Sequence, residues 1–425
     1  MEKNNKPIGQ YESRKDCRFC QGKKLSKILD FGLVPLAGGF LKAEAFKEEK
    51  YYPLELNFCG DCGLVQVSNV VAADVLFKNY FYFSSSIKTL VDHLALFAKE
   101  VTERFLYGRT RPSVFEIGCN DGVLLKPFAA LGVKAVGVDP ATNVVNSIAS
   151  KEITVINDFF SEQCALKVKK EHGSFDAVVS SYSFAHIDDM ESIAKGIKML
   201  LADDGVFVFE IHYLGTLIDG MQYDMIYHEH LSYYSLKVLE VFLEKFGMEI
   251  FDVKFIPAVR SGAARFYAQH KGKGKQKITP AVRALRESER QKGFDRLEVL
   301  LDYAGRVNKT REQLMALLND LKTKYKTVIG YGASGRGTTI MNYCGIDRAF
   351  LDYVVDDAPA KHELYTPGTH IPIQPWEFTG QGKVPDYALL FAWSFIDEVV
   401  KKRQDYLNKG GAFIVPLPLV RVVKS

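Results

Sequence analysis

Hydrophobic and polar positions change rhythm several times along the chain. From residue 113 to about residue 268, short apolar runs alternate with helical stretches. The runs are Ser113 to Ile117, Lys134 to Val138, Ile153 to Ile156, Phe175 to Ser180 and Gly205 to Glu210, which predicts a parallel sheet with right-handed crossovers. Just before them, Leu90, Leu94, Phe97 and Val101 recur at helical spacing. Residues 280–326 are helical in period and highly charged, with Leu297, Leu301, Val307, Leu314, Leu318 and Leu321 as the expected buried stripe of an inter-domain helix or helix pair. The strand and helix alternation then resumes at Thr327 to Ile329, Tyr353 to Val355, Tyr387 to Ala392 and Ala412 to Val415. Residues 1–75, by contrast, are short of apolar positions for a core of their own. The expected organisation is therefore α/β: a small unit at 1–75 followed by a lid region, a nucleotide-type unit at 76–268, a helical connector at 269–326 and a second Rossmann-like unit at 327–425.

Cysteine spacing supplies what the first unit lacks. Cys17 and Cys20 form one CxxC pair and Cys59 and Cys62 a second, separated by residues 21–58. Two such knuckles complete a closed Cys₄ site, so a structural zinc ion is expected there and would contribute the missing folding energy. A thioredoxin-like reading needs a CxxC opening a helix after a strand, and Cys59 lacks that context. The remaining cysteines, Cys119, Cys164 and Cys344, lie singly in apolar surroundings and read as core thiols. The chain has 425 residues, 25% of them charged, with a net charge of +4 spread along it, which gives no warrant for a nucleic-acid partner. No 18-residue apolar run occurs and the N-terminus is polar, so we expect a cytoplasmic protein without a membrane partner, either a monomer or a weak homo-oligomer.

The stretch from Val114 to Gly122 carries the first ligand site. Strand, Gly-containing turn and helix succeed one another there, with Glu116 near the carboxyl end of the strand and Gly118 and Asn120 in the turn. Asp139, about 20 residues beyond the turn, is placed to bond a ribose, and Asp158, at the end of the third strand, to approach an adenine amino group. A dinucleotide would call for G-x-G-x-x-G, but here the middle glycine is missing. Glu116 would repel a pyrophosphate and suits the ammonium of S-adenosylmethionine. Ahead of this turn, Tyr80 to Ser86 reads either as a lid over the ligand or as aromatic packing of a linker.

Two further stretches carry chemistry. Tyr223 to Tyr234 concentrates tyrosines around His228, Glu229 and His230. A metal site there lacks a third ligand. Proton transfer suits it better: imidazole titrates near neutrality, a carboxylate can hold its tautomer, and tyrosines can donate to a developing oxyanion. A structural loop is the alternative. Near the C-terminus, Gly330-Tyr331-Gly332-Ala333-Ser334-Gly335 does satisfy G-x-G-x-x-G after a strand, with Asp356 and Asp357 at the end of the next strand. Arg336, at the start of the following helix, adds to the case for a phosphate-bearing ligand.

Taken in order, CxxC and CxxC, Tyr-x-Tyr-x-Ser-Ser, Glu-Ile-Gly-Cys-Asn-Asp-Gly, Asn-Asp-Phe-Phe, Gly-Val-Phe-Val-Phe-Glu, Tyr-His-Glu-His, Gly-Tyr-Gly-Ala and Tyr-Ala-Leu-Leu-Phe-Ala-Trp cover nearly the whole chain. In this order the chain resembles the S-adenosylmethionine-dependent sugar C-methyltransferases, which act at C3 of nucleotide-linked 4-keto-deoxysugars. The resemblance implies a zinc-binding domain, a class I methyltransferase domain and a C-terminal Rossmann-like domain. It implies His230 as the base that forms an enolate, with Glu229, Tyr227 and Tyr82 beside it and His228 as a second imidazole in the same run. Phe159 and Ser180 are then expected to border the cofactor, and Ser84, Tyr331, Gly332, Ser334 and Arg336 the sugar nucleotide. The loop after Gly332, Ala-Ser-Gly-Arg-Gly, is richer in glycine than the family pattern and leaves nucleotide and sugar open. Three alternatives use fewer of these residues: a methyltransferase acting on another small keto acceptor, an NAD-dependent oxidoreductase using the C-terminal loop, and an RNA methyltransferase.

Overall fold

The computed structural model describes residues 7–78, 80, 83–256, 262–377 and 384–425. At its centre is a seven-stranded sheet in the order Met248–Ile256, Ala263–His270, Leu201–His212, Phe175–Ser181, Ser113–Ile117, Lys134–Val138, Ile153–Ile156. The five strands foreseen from the apolar runs are parallel neighbours, and Ala263–His270 inserts antiparallel between Leu201–His212 and Met248–Ile256. Both faces are covered, which is why these strands read as unbroken apolar runs rather than alternating ones. Helix Lys88–Val101 lies on one face with Leu90, Leu94, Phe97 and Val101 buried, as their spacing predicts. It is also tied to the sheet by charge: His93 Nε2 and Arg265 Nε both lie 2.9 Å from carboxylate oxygens of the fully buried Glu210. Burial disfavours that carboxylate, but His93 and Arg265 outweigh it and hold its pKa below the ordinary range.

The C-terminal sheet has the order Ile373–Gln374, Val354–Val355, Val328–Tyr331, Tyr387–Leu390, Ala412–Val415, Arg421–Val423, parallel except for the last strand. Two helices, Pro280–Lys292 and Leu297–Thr323, connect it to the centre. Leu314, Leu318, Leu321 and Val307 are buried along the longer helix, whereas Leu301, expected in the same stripe, is 46% exposed. Leu300, Tyr303 and Ala304 turn inward instead, because the helical phase over this turn places them toward the core. Among the described residues no helix is long and apolar enough to cross a membrane.

The N-terminal sheet joins Leu25–Pro35, Tyr51–Cys59 and Val65–Val67 in antiparallel order, and its fourth strand, Ser232–Tyr233, arrives from far along the chain. At one end of this sheet the thiols of Cys17, Cys20, Cys59 and Cys62 all lie within 4.8 Å of one another. Cys17 Sγ and Cys62 Sγ are 3.5 Å apart, as are those of Cys20 and Cys59. Tetrahedral Zn–S bonds of about 2.3 Å separate sulfurs by about 3.8 Å, so these four fit a structural zinc and leave no position for substrate. The hydrogen bond from Cys62 draws the Cys17 thiol down to about 5, while the Cys62 thiol is pushed up. A bound dication removes that conflict by stabilising every thiolate. Cys62→Ser should therefore lose zinc and at least about 4 kcal/mol of stability together. Metal analysis with thermal unfolding checks this, and a zinc-free variant with wild-type Tm would show that the knuckles do not hold this sheet.

Candidate active site

The turn after Ser113–Ile117 is built by local backbone demands. Gly118 has φ +72°, and a Cβ there would strike Ser183 Oγ. The N–H groups of Gly118 and Cys119 both donate to the Val138 carbonyl, at 2.8 and 3.1 Å, pulling the turn over the neighbouring strand. Asn120, also left-handed at φ +49°, donates its N–H to Asp139 Oδ2 at 2.8 Å, while Asp139 Oδ1 accepts from Ala141 at 2.9 Å. Glu116, Asp121 and Asp139 are all buried around this turn. Among the described residues, Glu116 Oε2, Asp121 Oδ1 and Ser180 Oγ are buried without a hydrogen-bond partner. Burial, reinforced by Asp139 and Asp121, pushes the Glu116 carboxyl well up, and burial raises Asp139 as well. Orphaned acceptors crowded in this way suit a ligand bearing an ammonium and hydroxyls. Asp158 and Phe159 stand at the rim, Asp158 capping the Phe159 N–H at 2.9 Å with Phe159 36% exposed. The lid region reaches the same turn: the Ser84 N–H donates to Asn120 Oδ1 at 2.9 Å and the Ser85 N–H to Asp121 Oδ2 at 3.1 Å. Ser84, expected at the sugar nucleotide, thus bonds the cofactor turn through its backbone.

The segment between helix Leu214–Asp219 and strand Ser232–Tyr233 brings the histidines into place. His230 is 5% exposed, and its Nδ1 lies 2.7 Å from the Met225 carbonyl, which also accepts from Tyr233 Oη at 3.1 Å. Its ring lies 4.0 Å from that of Tyr227, 5.2 Å from His186 and 5.1 Å from His212, centroid to centroid. Tyr80 Oη donates to Glu229 Oε2 at 3.0 Å, and burial lifts this half-buried carboxyl to about 7 against the pull of that bond. His228 turns the other way. Its Nε2 meets the Pro53 carbonyl of the N-terminal sheet at 3.1 Å, its edge faces Tyr52, and burial depresses it to about 4. It is a neutral Nε2–H donor and is not among the rings gathered around His230. Tyr82 lies outside the described residues.

Three of these neighbours, Tyr80, His186 and His212, were not singled out from the sequence. His186 closes the turn after Phe175–Ser181 and His212 is the last residue of Leu201–His212, both at carboxyl ends of parallel strands. A chain with nine histidines that puts two of them at such ends carried a usable signal.

The C-terminal loop closes the other side. Gly332 has φ +92° and packs on Ala392, the Ala333 N–H donates to Asp356 Oδ2 at 2.8 Å, and Ser334 caps the helix Gly335–Cys344 through the Gly337 N–H at 3.1 Å. Tyr331 is 6% exposed and its hydroxyl accepts from Arg403 Nε at 3.2 Å, so it belongs to the interior rather than the loop surface. Arg336 departs from its expected place at a phosphate. Its Nε donates to Asp224 Oδ2 at 2.8 Å, sharing that fully buried carboxylate with Trp393 Nε1 at 2.7 Å. The same helix reaches the histidine segment again where Thr339 Oγ1 donates to the Ile226 carbonyl at 3.4 Å.

Comparison with known proteins agrees with this layout. Three family descriptions match successive parts of the chain: a putative zinc binding domain at 17–77, a methyltransferase domain at 91–253 and a C-methyltransferase C-terminal domain at 258–418. C-methyltransferase NovU of Streptomyces niveus is 32% identical over 96% of this chain and 97% of its own. The mitochondrial ubiquinone biosynthesis O-methyltransferase of Bos taurus is 31% identical over 22% of this chain and 26% of its own. The solved glycopeptide N-methyltransferase MtfA, in complex with S-adenosylmethionine, gives a TM-score of 0.33 at 14% identity over 42% of this chain and 87% of that one. Matched from end to end by a C-methyltransferase and domain by domain by these descriptions, the chain belongs to the S-adenosylmethionine-dependent C-methyltransferases that carry an N-terminal zinc-binding domain.

Proposed function

We propose that the acceptor carbon is C3 of a nucleotide-linked 4-keto-deoxysugar, and that it is deprotonated to an enolate before it is methylated. The observation that carries this reading is the contact of His230 Nδ1 with the Met225 carbonyl. A carbonyl only accepts, so the ring proton resides on Nδ1 and the basic nitrogen of the neutral ring is Nε2. A neighbouring ketone acidifies a C–H bond enough for an imidazole to take its proton. Nε2 receives the C3 proton, the C–H electron pair enters the C3–C4 bond, and negative charge collects on O4. Tyr227, against the His230 ring, and the Tyr80–Glu229 pair are the nearby donors for that oxygen. A carboxyl near 7 such as that of Glu229 exchanges its proton readily at neutral pH. The resemblance adds Tyr82 to this group. Bound S-adenosylmethionine supplies the electrophilic methyl group. Glu116 is the counter-charge for its ammonium, Asp139 and Asp158 face ribose and adenine, and Ser180 and Phe159 border them. The backbone of Gly332 and Ser334 serves the sugar nucleotide, while Arg336, held by Asp224, keeps the turn Tyr223–Met225 in place.

His230→Gln should lower methyl transfer by about 10²- to 10⁴-fold and stop solvent-deuterium exchange at C3. S-adenosylhomocysteine should still bind within about twofold of wild type, since the change touches only the acceptor side. Exchange at the wild-type rate, followed by mass spectrometry on a nucleotide-linked 4-keto-6-deoxysugar, would move the base elsewhere.

Burial lifts the folded pKa of Glu116 above its unfolded value, so the cofactor-free protein holds an extra proton and loses stability as pH rises above the unfolded pKa. An ammonium reverses this by stabilising the carboxylate. Calorimetry in buffers of different ionisation enthalpy should show proton release when S-adenosylhomocysteine binds wild type, and none with Glu116→Gln. That variant should bind roughly ten- to hundredfold more weakly and, without cofactor, melt higher than wild type. Equal affinity and equal proton release in the two proteins would take Glu116 out of the site.

A further inference from the structure

The first zinc knuckle is Cys17-Arg18-Phe19-Cys20, and the residue between its first cysteine and Phe19 is a fully buried arginine. Arg18 Nη1 donates to the Leu231 carbonyl at 2.5 Å and lies 3.5 Å from Ser232 Oγ. Nη2 donates to the Val67 carbonyl at 2.9 Å and Nε to Asp188 Oδ1 at 3.1 Å. Its own N–H is held by Gln66 Oε1 at 3.0 Å. Leu231 directly follows His230, and Asp188 lies two residues after His186. The same two segments are joined by the Leu231 N–H, which donates to the Ala185 carbonyl at 2.9 Å, and the Leu231 carbonyl accepts a second bond from the Val67 N–H at 3.0 Å. One guanidinium therefore bonds strand Val65–Val67, the turn carrying His186 and the segment carrying His230.

A lone packing role does not explain this residue. Removing a guanidinium from water costs several kcal/mol, and its one carboxylate partner among the described residues, Asp188, is 37% exposed and shared with Arg14 at 2.9 Å. An apolar side chain would fill the space without that cost. What an apolar side chain cannot do is fix two backbone carbonyls with planar, directional donors. A base must be held to a fraction of an ångström, since a displacement of about 1 Å costs on the order of 10²-fold in rate.

We propose that Arg18 is a positioning residue for His230, and that the zinc knuckle acts on the reaction through it. Four thiolates on one ion fix Cys17 and Cys20 on either side of Arg18, Arg18 fixes the Leu231 carbonyl, and Leu231 fixes the imidazole that precedes it. The inference rests on the reading of His230 as base for its effect on rate, but not for its effect on the ring.

The test uses full-length, zinc-loaded Arg18→Lys and Arg18→Met. Zinc content and S-adenosylhomocysteine affinity should stay within about twofold of wild type. With a nucleotide-linked 4-keto-6-deoxysugar as acceptor, kcat should fall roughly 30- to 1,000-fold with little change in KM, and less in the lysine variant, which keeps one donor. The imidazole NMR signal of His230, assigned by its loss in His230→Gln, should shift or broaden in both variants. A wild-type His230 signal in a zinc-loaded variant overturns the proposal, and so does unchanged kcat alongside a shifted signal where His230→Gln itself loses turnover. If His230→Gln itself retains turnover while the Arg18 variants shift the signal, positioning stands and the assignment of the base fails. If the Arg18 variants do not fold, Asp188→Asn, at a partly exposed partner, should shift the same signal in the same direction, and an unmoved signal there overturns the proposal.

Discussion

Strand Ser232–Tyr233 pairs with Val65–Val67, and the placement of Tyr227, Glu229 and His230 depends on that pairing. Val65–Val67 is buried along its length, so without a partner its N–H and C=O groups would be left unsatisfied inside the protein. The partner comes from the segment that carries Tyr227, Glu229 and His230. Neither part is complete alone: the N-terminal sheet borrows its edge strand from the methyltransferase domain, and the histidine segment gains a rigid support whose far end is the tetrathiolate cluster. From the opposite side, Arg336 and Trp393 hold Asp224 and Thr339 holds the Ile226 carbonyl. The segment is thus gripped by the domains on either side, which accounts for its burial despite having almost no regular secondary structure of its own.

Charge is handled in opposite ways at two places on one face of the central sheet. Around Glu210 the buried carboxylate is matched by Arg265 and His93, and the network serves to hold helix Lys88–Val101. Around Glu116 no described residue supplies a cation, and Asp139 and Asp121 add to burial in disfavouring its ionisation. A purely structural site would relax that conflict. Beside left-handed Gly118 and Asn120 the conflict leaves a buried carboxyl that a ligand's positive charge would stabilise.

Much of the fold was legible because strand burial and thiol spacing are local signals. Both faces of the central sheet are covered, so its five parallel strands appear as apolar runs, and two CxxC pairs at this spacing form a closed set of four metal ligands. Leu301 was misplaced because neighbouring leucines at 297, 300 and 301 fit a helical stripe almost equally well, and only packing sets the phase. Arg336 was read as a phosphate ligand because a helix N-terminus invites one. The carboxylate that takes its charge lies 112 positions away, beyond the reach of any motif.

By itself the sequence determined the α/β class, the zinc ligands, the strand-turn-helix that carries Glu116, and the histidine and carboxylate content of the segment Tyr223 to Tyr234. Each of these depends on residue type at short spacing, where backbone geometry leaves few options. The tertiary structure alone decided which imidazole faces which partner. His228 and His230 are two residues apart and chemically identical in sequence, yet one bonds Pro53 in the N-terminal sheet and the other Met225 among His186, His212 and Tyr227. That choice is made by contacts between residues far apart in the chain, which fix the ring orientation and the tautomer and, for His228, depress the pKa.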